Sequence, residues 1–328
     1  MKQTKKYLLL FIKISISLSI LGWFITQAHP ETLSKELLDA NLKILVPCFL
    51  LFLIGQILSS IKWMLLARNL GFEENFKTFL NYYFIGMFFN LFLPTNVGGD
   101  FVKSYYLAKG KSSKRKKWLA LYSVLSDRGI GLGILLIMAC IGISLSEEKL
   151  IPSSVKYGCF ALLICSLGIT ILFFLLRDKL TNKYKFLDNI YLMLDLYFKN
   201  LTSIAGVMLI SVLTHLIYIF IHFLIGNFLK LDIPFSFYFL LYPLTSIVGL
   251  LPISFNGIGT REGTYVYLFA MIGVGVTKAL TFSLIWFEVL VISSAFGVIP
   301  YIMRNVANLK HSLDGSTTKE ISGEKLKI

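Results

Sequence analysis

Residues 92–118 read FLPTNVGGDFVKSYYLAKGKSSKRKKW. A proline, an asparagine, two glycines and an aspartate here follow LNYYFIGMFFNLF, residues 80–92, without a break. Loops of that composition belong in water, yet this one closes an apolar run. The fold has to explain that placement.

The surrounding chain is oily. Of its 328 residues 56% are hydrophobic and only 15% charged, and the mean hydropathy is +0.73. A soluble chain of this size covers its core with charge. Here the apolar residues come in runs near or above the length that crosses ~30 Å of hydrocarbon. The expected fold class is an all-α polytopic membrane protein. Its net charge of +14 points to cytoplasmic loops that set orientation, not to nucleic acid. Cys48, Cys140, Cys159 and Cys165 lie in apolar runs without ligand spacing, so no metal and no cofactor is expected. The N-terminal MKQTKKYLLLFIKISISLSILGWFITQA resembles a signal peptide, but its apolar stretch is long for one and reads as a retained helix.

Long apolar runs predict spans near 7–28, 44–67, 118–145, 155–176, 203–229 and 278–303, with shorter segments at 78–93 and 235–251 that each end at Leu-Pro. Lys2, Lys5 and Lys6 place the N-terminus in the cytoplasm, and the run of bases from Lys109 to Lys117, without an acid, places its loop there too. The 146–154 loop, with Glu147 and Glu148, and the turn near Asp232 read as external. If the second span ends inside near Arg68, residues 78–108 must enter and return on one side. The arm before Pro94 has about 16 residues, roughly 24 Å of helix. A re-entrant hairpin follows, with PTNVGGD at its tip.

A second break, LPISFNGIGTREG at 251–263, has the same design. Pro252 follows Pro94 by 158 positions (252 − 94), close to half the chain. The same offset carries span two onto span five and span three onto span six. Each half then holds three spans and one hairpin. Three is odd, so the halves insert with opposite orientation, as in transporters built from inverted repeats. The expected organisation is one membrane domain over 1–305, with repeats near 1–145 and 155–305, a flexible cytoplasmic tail at 306–328, and both termini inside.

Non-helical backbone at membrane depth survives only inside protein or beside a wet cavity. Pro94 and Pro252 end the entering helices. Gly98, Gly99, Gly257 and Gly259 permit left-handed or tight backbone. Free amides at such tips favour a phosphate or carboxylate, while Asp100 either caps the next helix or joins the site. Arg128 and Glu288 fall near mid-span, with Arg261 and Glu262 just past the second tip. Charges there should face the interior and find partners on other elements, or meet substrate. Lys13, Lys62 and Arg177 read as snorkelling side chains. His215 and His222 read as hydrogen-bonded interior residues, with proton transfer as the other reading. FLDNIYLMLDLYFKN, 186–200, reads as an amphipathic interfacial helix.

NLFLPTNVGGDFVKSYYL at 90–107, SDRGIG at 126–131 and LPISFNGIGTREG together resemble the flippase-like membrane family, also described as the lysylphosphatidylglycerol synthase transmembrane region or UPF0104. The resemblance runs to about residue 305. It implies a lipid translocase fold with the headgroup between the tips, and motif residues Asn90, Pro94, Gly98, Gly99, Asp100, Arg128, Pro252, Gly257, Gly259 and Glu262. Lys103 stands where that family carries Arg, a weaker bidentate phosphate ligand. No synthase domain follows, so aminoacyl transfer is not expected.

The expected function is translocation of an anionic phospholipid or polyprenyl-phosphate-linked lipid across the cell membrane, without catalysis. Asn96, Lys103, Asn256, Arg261 and Glu288 join the motif residues other than the two prolines as candidate substrate contacts. The alternatives are a membrane enzyme of lipid-linked glycan or aminoacyl-lipid synthesis, and a non-transporting partner of a separate synthase or glycosyltransferase.

Overall fold

A computed structural model describes residues 15, 17–28, 30–39, 42–93, 97–111, 113–146, 151–177, 179, 187–251 and 253–304. Pro94, Asn96, Pro252, Lys13, most of the first half of the 7–28 run and the 306–328 tail lie outside them. The described chain is helical: α1 (17–27), α2 (Pro30–Asp39), α3 (Leu42–Asn69), α4 (Phe76–Phe92), α5 (Gly98–Ala108), α6 (Lys114–Leu145), α7 (Ser153–Leu175), α8 (Asp188–Phe198), α9 (Leu201–Phe228), α10 (Phe235–Leu250), α11 (Thr260–Ala270) and α12 (Val276–Ala295). Among the described residues five helices are long and apolar enough to cross a membrane: Lys43–Asn69, Lys114–Leu145, Ser153–Leu175, Leu201–Phe228 and Val276–Arg304. The protein is an all-α polytopic membrane protein.

Local chemistry sets the ends. Asn75 Oδ1 accepts from Thr78 N at 2.9 Å and opens α4; Asn200 Oδ1 accepts from Ser203 N at 3.2 Å and opens α9. Leu93 and Leu251 leave their helices in extended backbone, ψ 142° and 133°. Each precedes a proline, whose ring disfavours helix in the residue before it.

Three helix lengths recur along the chain. α3 and α9 have 28 residues each, α4 and α10 have 17 and 16, and α5 and α11 have 11 each. Their contacts correspond as well. α3 packs on α9; α6 packs on α10 as α12 packs on α4; α3 meets α12 as α9 meets α6. Two glycines fix one such pair. A Cβ on Gly142 would lie 2.6 Å from the Phe239 carbonyl carbon, and one on Gly297 would lie 2.0 Å from Phe84 O. Both pairs are separated by the same 155 positions (297 − 142 and 239 − 84).

Apolar burial does not drive helix association in lipid; close packing and interhelical hydrogen bonds do. Gln56 Nε2 donates to Tyr218 Oη at 2.8 Å, Trp63 Nε1 to Ser123 Oγ at 3.1 Å and Asn69 Nδ2 to Ser203 Oγ at 3.0 Å. The 186–200 segment does form a helix, α8. Tyr191, Met193 and Tyr197 are its buried face, while Arg177 donates twice to Asp195, at 2.8 and 2.7 Å. Those bonds hold the Asp195 carboxyl below its usual range.

Candidate functional site

α3, α4, α6, α9, α10 and α12 enclose a cavity of about 310 Å³, with α5 and the second tip also on its wall. Its charged lining is four cations, Lys62, Lys103, Arg128 and Arg261, against two carboxylates, Asp100 and Asp127. Asp100 and Asp127 are 3% and 4% exposed, Lys103 4% and Lys62 6%. Charges so enclosed persist only with partners.

The partners form one network. Asp100 Oδ1 lies 2.9 Å from Lys103 Nζ, and Asp100 Oδ2 accepts from Arg128 Nε. Asp127 Oδ1 lies 3.0 Å from Lys62 Nζ, with Oδ2 4.0 Å from Lys103. α3, α5 and α6 are thereby tied together through side chains that sequence alone scatters over 66 positions (128 − 62). Lys103 also sits over the Tyr83 ring, 4.2 Å from its centroid.

The sequence expected Arg128 and Asp127 to pair with other elements instead of each other, and they do. Lys62 is a correction. It does not snorkel: its amine turns inward to Asp127. Gln56, Ser59 and Lys62, spaced by three on α3, all line the cavity, and that polar stripe was the available signal. Glu288 is a second correction. Its side chain is exposed on α12, because Phe287 and Leu290 take the cavity-facing positions.

The tips differ in how they use glycine. Gly257 and Gly259 hold φ of 76° and 85°, and Asn256 holds 51°, a region that favours residues without a bulky Cβ. Gly98 and Gly99 are instead helical. Gly99 serves close approach, since a Cβ there would fall 1.9 Å from Gly86 O on α4.

Among the described residues three tip amides are taken by side-chain acceptors. Gly99 N donates to Asn90 Oδ1 at 2.7 Å, Gly259 N to Glu262 Oε2 at 2.6 Å and Phe255 N to Ser17 Oγ at 2.8 Å. Asp100 does not cap α5, because its carboxylate is committed to Lys103 and Arg128. The positive charge of this cavity is carried by the side chains of Lys62, Lys103, Arg128 and Arg261. Arg261 Nε donates to Glu262 Oε1 at 3.1 Å, and its guanidinium lies 4.6 Å from the Phe287 ring centroid. Of the two carboxylates near the tips, Asp100 and Glu262, it is Glu262 that pairs with Arg261. Glu262 bends back to Gly259 and lies beside Arg261 at the start of α11, which overrides the usual divergence of adjacent helical side chains.

Of the expected site residues, Asn90, Asp100, Lys103, Arg128, Asn256 and Arg261 meet at the cavity. Gly99, Gly257, Gly259 and Glu262 lie at the tips beside it, off the cavity lining. Gly98 packs on Leu93, with a built Cβ at 2.6 Å. Sequence reading missed Lys62, Asp127, Gln56 and Tyr83 as lining groups. His215 also lines it; its Nδ1 meets Tyr242 Oη at 3.2 Å, and its buried Nε2 has no hydrogen-bond partner among the described residues. His222 is a bonded interior residue, between Tyr218 O at 2.7 Å and Tyr265 Oη at 2.6 Å.

These features define a multi-pass helical membrane protein with a cation-rich cavity among its helices. The chain belongs to the lysylphosphatidylglycerol synthase TM region family, whose profile matches residues 10–297. It is similar to UPF0104 membrane protein MJ1595 of Methanocaldococcus jannaschii, 27% identical over 136 residues, which cover 41% of this chain and 39% of that one. It is also similar to UPF0104 membrane protein PH1989 of Pyrococcus horikoshii, 26% identical over 110 residues, 33% of this chain and 32% of that one. The similar stretches thus span about a third to two fifths of those relatives.

Proposed function

We propose that this chain moves an anionic lipid across its membrane, with the headgroup held in the central cavity. The observation that carries the reading is the cation excess: four basic side chains against two carboxylates line one cavity. Counting Glu262, which lies against Arg261, the cluster still keeps a net positive charge. A phosphate would complete it, and Arg261 offers a guanidinium suited to such a group. The apolar walls, including Met87, Leu132, Leu135 and Leu290, suit a ligand with an acyl portion.

The architecture supports transport. The α4–α5 and α10–α11 pairs are read as re-entrant hairpins, since α4 is only about 25 Å long and α5 about 16 Å by helical rise. The matched elements and doubled contacts are read as two inverted repeats that meet at the cavity, the arrangement in which one half rocks against the other. The family description, naming the transmembrane region of a lipid synthase, favours a lipid substrate over a soluble anion. In this reading no residue is catalytic, and the 109–117 loop and both termini are cytoplasmic.

The test is a liposome assay with the purified chain and fluorescent phosphatidylglycerol, phosphatidylcholine and polyprenyl phosphate. Faster inversion of an anionic lipid than of phosphatidylcholine is expected, lost in Arg261→Ala. Headgroup turnover without inversion would hand the chain to the enzyme reading, and inactivity toward the whole panel would remove transport.

A further inference from the structure

The α5–α6 elbow carries a second concave site, a groove of about 550 Å³ separate from the cavity. Lys109, Lys111, Lys114 and Lys117 line it with Phe101, Tyr105 and Trp118, and its lining contains no acid. Lys111 is engaged by Glu74 Oε1 at 2.8 Å. Lys109, Lys114 and Lys117 have no ion pair among the described residues and are exposed. So are the aromatics, at 59% for Phe101, 62% for Tyr105 and 44% for Trp118.

Position decides what such a groove meets. α6 has 32 residues, or about 48 Å, well beyond the ~30 Å of hydrocarbon. Its lysine-rich first turns therefore fall in the headgroup layer, where Trp and Tyr also concentrate. The groove is amphipathic: its amines cluster at the elbow between α5 and α6, with Phe101 and Tyr105 preceding them on α5 and Trp118 following them on α6. A soluble anion would use the amines and leave the rings without purpose.

We propose that this elbow binds an anionic phospholipid, its phosphate among Lys109, Lys114 and Lys117 and its glycerol and upper acyl region against Phe101, Tyr105 and Trp118. The site is independent of the transport reading. It bears on the cavity through α5, whose Phe101 and Tyr105 face the groove while Asp100 and Lys103 face the cavity. Eleven residues thus join two sites.

Native mass spectrometry of the full chain in micelles, titrated with dioleoyl phosphatidylglycerol, phosphatidylcholine or inorganic phosphate, tests this. Wild-type protein should retain one more phosphatidylglycerol than the Lys109→Gln/Lys114→Gln/Lys117→Gln variant, and no phosphatidylcholine there. The charge-matched Lys77→Gln/Arg115→Gln/Lys199→Gln variant should keep that lipid; equal loss in it would reduce the effect to diffuse electrostatics and overturn the site. Displacement by millimolar phosphate would overturn the lipid as occupant. Equal lipid counts in the groove variant and wild type would leave these lysines only an orienting role. Arg261→Gln separates the two sites, because the elbow lipid should survive it. Trp118→Ala, with every charge kept, should bind at least threefold more weakly, and unchanged binding there would also count against the groove.

Discussion

Arg261 and Glu262, neighbours in the chain, form a buried ion pair at the start of α11, with Nε 3.1 Å from Oε1. Glu262 is 1% exposed and gives its other oxygen to the Gly259 amide. Arg261 lines the cavity. One residue of the pair holds the tip together and the other faces whatever enters.

The two should therefore respond differently to mutation. Arg261→Ala is expected to purify as folded protein and lose lipid inversion, with Arg261→Lys keeping a fraction. Glu262→Ala removes a cap and leaves Arg261 uncompensated, so its folded yield should fall, by about 3 kcal/mol in stability on the scale of broken buried pairs. Thermal melts beside flip rates check this. Full transport by Arg261→Ala would sink the phosphate role.

Lys62 and Asp127 should be strongly coupled. Asp127→Asn strands a buried ammonium, expected to cost about 3 kcal/mol. Lys62→Met combined with Asp127→Leu removes both charges and should recover most of that loss. A double-mutant cycle in a thermal or denaturant assay measures it; additive single and double mutants would mean the 3.0 Å contact contributes nothing to stability.

Gly99 and Gly168 make a matched test of close packing. A side chain at Gly99 meets Gly86 O at 1.9 Å, whereas one at Gly168 on α7 meets nothing within 4 Å. Gly99→Val should force α4 and α5 apart and lower both folded yield and transport. Gly168→Val should match wild type. Similar melting temperatures for the two variants would show that the hairpin tolerates separation.

Sidedness can be read with cysteine labelling in a background that lacks Cys48, Cys140, Cys159 and Cys165. A cysteine at Ser113 is expected to react only after the membrane is opened, and one at Asp232 with intact cells. Labelling of position 113 from outside would undo the hairpin and inverted-repeat reading together.

Much of this architecture was legible in the chain. Span lengths follow from apolar runs because hydrocarbon thickness sets them. The ends of α4 and α10 follow from Leu-Pro because proline constrains its predecessor locally. The 158-residue offset between the two Leu-Pro breaks is matched by recurring helix lengths, 28, 17 and 11 residues for α3, α4 and α5 against 28, 16 and 11 for α9, α10 and α11. Arg128 could be flagged as a mid-span charge for the same reason, since depth is a one-dimensional property.

Direction around a helix and choice of partner are not one-dimensional. Lys62 and Glu288 both sit at depths where charge is costly, yet Lys62 turns inward to Asp127 and Glu288 faces out. What separates them is which neighbouring helices occupy each face, a consequence of packing that the stripe of Gln56, Ser59 and Lys62 marks on α3 alone. The Arg261–Glu262 pair depends likewise on the positive φ of Gly257 and Gly259, which folds the tip back on itself. The sequence by itself determined the helices and their breaks, because length, proline and hydropathy act along the chain. The ring of Lys62, Asp127, Lys103, Asp100 and Arg128 was decided only when α3, α5 and α6 met, since ion pairs act through space.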